Sequence, residues 1–506
     1  MIFYFTSENI FSFNSGTEFS QAKRTKLFNL ESQSAFYVAR DYNPNFHQVA
    51  WQMELSDDQV INMYDYFQEA TDVVRKKINV RFASFISKRD YHLDSVNPNY
   101  SLIKHHGQTS AKVNIAPLTV GLVGNVEYYD SFGNTEAVDY WDWRGFKSST
   151  QYFHPNGQPG AQRFFNPEGK LVMEIVRMNI SGKLFPTMYK LFDYKGKDWR
   201  FDSENELFIF FMNELIAQRP GIIINDRPSM VDVVARISGA TKKFQYLHDV
   251  HTIDSGNPIK GEIMTSLKPL FTTYSSAYDG IIVATSEQRN DLKKRYPRMN
   301  IYQAPDTYID QEQLEKPKKS YSLRISHKLL YFGRLSEEKH PEQTIRAFSV
   351  IKQAIPDATL EFRGYPSSSA FMTSLKKQVE DAGLKESVAF CNYVTGDQRN
   401  RVLDQAELVI QTSTGEGFSM SVLEAMSHGL PAVVYDANYG PRSFVRDAFN
   451  GYLIENGNFV GLADNVIKIF QNNSLWQKLS FGAYQTAKAF DAKNVWSVWQ
   501  KSGIFN

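Results

Sequence analysis

Apolar runs alternating with helical periodicity dominate the C-terminal part of the chain. KLLYFGRL (328–335), ATLEFRG (358–364), SVAFCNY (387–393), AELVIQTS (406–413), PAVVYD (431–436) and GYLI (451–454) have the length and β-branched or aromatic content of buried strands. Segments between them, such as PEQTIRAFSVIKQAI (341–355), space their apolar residues as one face of a helix. Strand–helix alternation of this kind predicts a parallel, doubly wound sheet. A second alternating set lies earlier, in IFYF (2–5), AFYVAR (35–40), GIIIND (221–226), KFQYLHD (243–249) and GIIVATS (280–286). The expectation is an α/β protein with two Rossmann-like halves. The tail, LSFGAYQTAKAFDAKNVWSVWQ (479–500), reads as a helix, a break near Asp491 and a second helix.

The first half is interrupted. Between residues 76 and 197 the helical period disappears, and turn signals recur in YYDSFGNT (128–135), WRG (143–145), HPNGQPG (154–160), NPEGK (166–170) and YKGK (194–197). Aromatic and β-branched residues fill the gaps, as in antiparallel hairpins. An inserted β-meander follows, whose Tyr128, Tyr129, Tyr140, Trp141 and Trp143 could offer a partner an aromatic face or a strand edge.

A chain of 506 residues exceeds one ordinary core, so two or three domains are expected. A net charge of +1 gives no electrostatic reason to bind nucleic acid or an anionic membrane. The single cysteine, Cys391, excludes an internal disulfide framework and fits a reducing compartment. The start, MIFYFTSENIF, has no basic leader and too short an apolar run for a signal peptide, and no stretch is apolar enough to span a membrane. A soluble, cytoplasmic protein is the expectation.

Candidate chemistry concentrates in TGEGFSMSVLEAMSHGLP (414–431). A loop carrying Glu416 follows a buried strand, and a helix with Glu424 inside it follows the loop; Met420, Leu423 and Met426 form its core stripe. Ligands of open α/β sheets bind at such junctions. The N–H groups of Phe418, Ser419, Met420 and Ser421, with the helix dipole, would favour a phosphate. Two carboxylates flanking that cradle could accept hydrogen bonds from sugar and ribose hydroxyls. Arg334 and Lys339, just past the strand of KLLYFGRLSEEKH (328–340), could neutralise a departing diphosphate. His248 and His251 of LHDVH make a poor zinc pair, with only Asp249 nearby and no cysteine. No metal or other cofactor is expected.

GRLSEEK, followed by EGFSMSVLEAMSHGLP, together with NSGTE (14–18) and LHDVH (247–251), resembles the retaining GT-B glycosyltransferases of family 4. With the insertion and YDANYGPRSFV (435–445), it resembles two groups within them. One is the catalytic subunits of accessory-secretion O-glycosyltransferases that modify serine-rich repeat adhesins, which fit the length and N-terminal pattern better. The other is the poly(glycerol-phosphate) α-glucosyltransferases of teichoic acid synthesis. The resemblance implies two Rossmann-like domains facing a cleft and transfer of GlcNAc or glucose from a UDP-sugar to serine or threonine hydroxyls, without a metal. It also implies a GT-B-like partner subunit, through which the protein would sit peripherally at the membrane. A non-catalytic partner chain is the alternative of a different class.

By position, the resemblance places Gly16, Thr17, Glu18 and Phe19 on a loop against the donor diphosphate, and Arg334 and Lys339 on its phosphates. Tyr393 and Val394 would border the uracil, Glu424 would hold the ribose, and Glu416 would contact the transferred sugar beside Gly417, Phe418 and Ser419. His248 would point into the cleft. Many family members have EGFG or EGFP where this chain has Ser419 and Met420, which bears on the sugar pocket. The expected boundaries are 1–75 and 198–310 for the N-terminal Rossmann domain, 76–197 for an acceptor- or partner-binding insertion, and 311–485 for the nucleotide-sugar domain. Residues 486–506 would form a C-terminal helix crossing back.

Overall fold

The structure, a computed structural model, describes residues 1–11, 15–87 and 89–505, so Asn14 of the NSGTE motif lies outside the described residues. The chain divides into two compact units, residues 1–12 with 33–242 and residues 13–32 with 243–506.

In the first unit, strands Ile222–Asn225, Ile2–Ser7, Ser34–Ala39 and Val60–Asn62 lie side by side in that order, all parallel. Phe3, Tyr4 and Phe5 are fully buried in succession, so both faces of this strand are covered, as uninterrupted apolar runs in parallel sheets require. The insertion is a meander of ten antiparallel strands, from His92–Asn97 to Lys197–Phe201, each paired with its neighbour in sequence. Gly145 shows why one turn signal is there: its φ is +93°, and a Cβ would lie 1.9 Å from the Lys76 carbonyl.

The five aromatics named above are each half-buried, and three of them have partners within the insertion. Trp141 packs against Phe85 at 4.9 Å and Tyr128 packs on a cluster around Val113 and Val126. The hydroxyls of Tyr128 and Tyr129 donate to Asp139 and Glu127. Among the more exposed apolar side chains are Phe82, Leu118, Val120 and Phe132.

A buried charge cluster fastens the meander to helices Phe46–Gln52 and Met63–Phe67. His47 contacts Asp57 at 2.6 Å and Asp65 at 2.8 Å. Arg144, in a meander turn, bonds Asp65 and Asp142 at 2.8 Å and donates to the Ala70 carbonyl.

In the second unit, strands Lys242–Leu247, Gly280–Val283 and Ile301–Gln303 are parallel neighbours. A six-stranded parallel sheet follows, ordered Val388–Cys391, Thr359–Arg363, Lys328–Phe332, Leu408–Gln411, Ala432–Tyr435 and Gly451–Ile454. Chain order reverses between Lys328–Phe332 and Leu408–Gln411, where the first and fourth strands meet. Helices Asn473–Ala489 and Ala492–Lys501 are separated at Asp491, whose side chain caps the second. Trp496 and Trp499 of that helix pack edge-on against Phe28 of helix Gly16–Leu30, at 5.1 and 5.0 Å.

Candidate functional site

The reversal of strand order opens a crevice at the strand C-termini, the usual ligand position in such sheets. Two loops flank it. Lys339 lies on the loop after Lys328–Phe332, and Glu416 on the loop after Leu408–Gln411. The Lys339 Nζ and a Glu416 carboxylate oxygen are 2.8 Å apart, with only 17% and 11% of their side chains exposed. Thr412 holds the lysine loop in place, its hydroxyl donating to the carbonyls of Lys339 and His340. Gln411 donates to Glu416 at 3.1 Å and accepts from the Ser419 hydroxyl at 2.6 Å.

Gly417 carries the glutamate loop against the segment after strand Lys242–Leu247. A Cβ there would sit 2.2 Å from the His248 carbonyl oxygen, so only glycine permits the approach. This packing brings Asp249, which the sequence offered only as a neighbour of the two histidines, beside the pair. Burial opposes the charge on Lys339, but the Glu416 and Asp249 carboxylates outweigh it and hold the ammonium above its ordinary value. Burial raises the Asp249 carboxyl above the usual carboxylate range, with Lys339 pulling the other way.

Helix Met420–Ser427 begins at Ser419, whose φ is +72°. The first amides to turn back into the helix, Val422 and Leu423, both meet the Ser419 carbonyl, so the preceding N–H groups are available to a ligand. Leu423 and Met426 are buried, and Met420 partly so. Glu424 emerges on the other side of the helix and meets Arg399 at 2.7 Å. Arg399, on helix Gly396–Gln405, was not anticipated; its only sequence signal is a cation one turn into the helix after Tyr393 and Val394. Tyr393 lies 6.3 Å from the Phe19 ring and 5.9 Å from that of Tyr365. Burial pushes its phenol well above the usual value, with Glu424 adding to the effect.

The expected loop at Gly16–Phe19 is a correction. These residues form the first turn of helix Gly16–Leu30, and Ser15 is its N-cap. Glu18 is buried and accepts from the Ser15 N–H at 2.8 Å and its hydroxyl at 2.6 Å, so its carboxylate closes the helix end. Ser15 and Glu18 are spaced as a capping box, the signal that could have identified this role. Gly16 nevertheless belongs beside the crevice, since a Cβ there would lie 3.9 Å from the Met420 sulfur.

Arg334 is half exposed and paired with Glu338. His248 stacks on Tyr246 at 4.5 Å, while the buried His251 ring donates from Nε2 to the Pro258 carbonyl at 2.9 Å. Among the described residues, no group of three His, Cys, Asp or Glu side chains is placed to hold a metal ion.

This arrangement agrees with comparisons to known proteins. Residues 313–486 match the family model of Glycosyl transferases group 1. This stretch is similar to a group 1 glycosyl transferase domain. The chain is 29% identical over 256 residues to a poly(glycerol-phosphate) alpha-glucosyltransferase of Bacillus subtilis, covering 50% of this chain and 36% of that protein. It is 26% identical over 320 residues to the GtfA subunit of a UDP-N-acetylglucosamine–peptide N-acetylglucosaminyltransferase from Streptococcus gordonii, covering 60% and 61%. The matched region therefore spans less than two-thirds of either relative. The crystal structure of the pneumococcal O-GlcNAc transferase GtfA in complex with UDP and GlcNAc superposes with a TM-score of 0.85 at 21% identity, over 99% of this chain and 98% of that one. The fold is GT-B with an inserted antiparallel sheet, as the resemblance implied. Among the described residues, no helix is long and apolar enough to cross a membrane.

Proposed function

We propose that the protein is a retaining, metal-independent glycosyltransferase that moves GlcNAc or glucose from a UDP-sugar to serine or threonine hydroxyls of a serine-rich adhesin. The Lys339–Glu416 pair at the strand-order reversal, beside the start of helix Met420–Ser427, carries this reading. The donor diphosphate meets the amides of Phe418 to Ser421 and takes the Lys339 ammonium as its counter-charge, with Arg334 approaching from the rim. Charge grows on the leaving phosphate as the glycosidic bond breaks, and a buried cation already in place stabilises it without reorganisation. Glu416, released from Lys339 and steadied by Gln411, accepts from hydroxyls of the transferred sugar. Glu424, oriented by Arg399, accepts from the ribose, and Tyr393 and Val394 border the uracil. The acceptor hydroxyl attacks on the face the diphosphate leaves, which retains the anomeric configuration.

The insertion recognises the acceptor or a GT-B-like partner subunit, and such a partner would hold the protein at the inner face of the membrane. The exposed Phe82, Leu118 and Val120 support an interaction role for this region.

The likeness to the Bacillus subtilis enzyme favours a second reading, glucosylation of poly(glycerol phosphate). A contacting pair of donor-site charges speaks against a non-catalytic chain. Radiolabelled UDP-GlcNAc and UDP-glucose, offered with a serine-rich polypeptide and with poly(glycerol phosphate), separate these readings. Label in the polypeptide is expected; label in the polymer alone establishes the second reading, and label in neither removes both.

A further inference from the structure

Ser419, Gln411 and Glu416 form a hydrogen-bonded relay that can run in only one direction. Glu416 Oε1 lies 2.8 Å from the Lys339 ammonium and 3.1 Å from Gln411 Nε2. A carboxylate paired with an ammonium only accepts, so the Gln411 amide turns its NH2 group toward it and its own oxygen away. That oxygen lies 2.6 Å from the Ser419 hydroxyl, which must therefore donate. All three residues are buried, where water does not replace a lost donor.

Both ends of the relay stand on rigid elements. Gln411 is the last residue of strand Leu408–Gln411 and pairs in register with Val434 of the next strand. Ser419 precedes helix Met420–Ser427, and its carbonyl accepts from the Val422 and Leu423 amides. A serine at a helix N-cap ordinarily turns its hydroxyl onto the first amides of its own helix. Among the described residues, the Ser419 hydroxyl caps no amide of this helix. It is spent on Gln411 instead, at a φ of +72° that favours glycine over serine. Without this donor the Gln411 oxygen would be buried and unpaired, and the amide would rotate in search of another, dropping Glu416.

We propose that Ser419 is a positioning residue that acts through Gln411. Its hydroxyl locks the amide so that the NH2 group keeps hold of Glu416 Oε1 after the diphosphate has drawn Lys339 away. Oε2 is then the oxygen that accepts from the transferred sugar. The role of Oε2 rests on the reading above that Glu416 meets that sugar; the lock on the Gln411 amide does not.

The test uses the full chain and Ser419→Gly, which removes the hydroxyl at a φ that glycine adopts freely and keeps every backbone amide of the phosphate cradle. Turnover should fall by about tenfold, with UDP affinity unchanged. Gln411→Met should lose at least as much, and the double variant should match Gln411→Met alone. Additive losses would mean that the hydroxyl acts on the ligand directly and would overturn the proposal, as would full turnover in Ser419→Gly. A second readout needs no turnover. In protein labelled with 15N-glutamine and saturated with UDP, hydrogens of the Gln411 side-chain amide should exchange with water on the order of tenfold faster in Ser419→Gly than in wild type. Equal exchange rates overturn the proposal, and this comparison decides the matter if Gln411→Met does not fold. A wild type that transfers sugar from no UDP-hexose would count against the glycosyltransferase reading, while the exchange rates would still test the lock.

Discussion

Each unit buries a cluster of cations and carboxylates, and the two clusters differ in how completely their bonds are made. Around Arg144 every guanidinium nitrogen has an acceptor, and both nitrogens of His47 face a carboxylate. Around Lys339, among the described residues, an ammonium with three protons has one ion-pair partner, while the Asp249 charge stands by without bonding it. A saturated cluster has nothing left to offer a ligand and serves to fasten one part of the fold to another. An unsaturated one, placed where strand order reverses, keeps bonding capacity in reserve. Burial and charge alone do not separate the two; hydrogen-bond saturation does.

The comparison breaks most visibly at Arg144. Arg144→Met strands Asp65 and Asp142 in the interior, and the expected loss of stability is about 3–5 kcal/mol. Denaturant unfolding measures it, and a loss below 1 kcal/mol would mean that the cluster does not fasten the meander.

His47 sharpens the same side through pH. Burial alone would depress its pKa, but Asp57 and Asp65 outweigh burial and raise it from 6.5 to about 9. The folded state therefore prefers the imidazolium. This stability is fully present below about pH 6.5 and disappears as pH rises through about 9, a change on the order of 3 kcal/mol. Unfolding midpoints of the wild type should fall across that window, and those of His47→Gln should fall much less. Parallel curves would contradict the assignment.

On the other side, Glu416→Gln removes one charged hydrogen bond to the sugar. Turnover should drop by roughly tenfold to a hundredfold, from ~1.5–3 kcal/mol, with a small change in melting temperature. Full activity in this variant would remove Glu416 from the sugar site.

Much of this is legible in the sequence. Strands such as Lys328–Phe332 and Leu408–Gln411 are apolar on both faces, so their runs stand out, and the loops after them carry Lys339 and Glu416 as the alternation implies. Glu18 belongs to a capping box with Ser15, a local pattern that overlaps the family motif in the same residues. Arg399 carries no pattern of its own, and Asp249, though inside LHDVH, carries none that points to Lys339. Each matters only through a neighbour far along the chain, brought close by packing such as that of Gly417 on His248. The Arg144 cluster was hidden for the same reason, since its members come from two short helices and a hairpin turn. The meander aromatics do not by themselves mark a partner face, because an aromatic-rich strand reads alike whether its rings face a partner or each other.

The central claim, that Lys339 holds the charge of a departing diphosphate, is tested most directly by the rate of radiolabelled sugar transfer in excess EDTA, for wild type and Lys339→Met. The wild type should keep its rate, and the variant should lose roughly tenfold or more. A variant as fast as the wild type would contradict the claim, as would a wild-type rate abolished by EDTA and restored by manganese or magnesium.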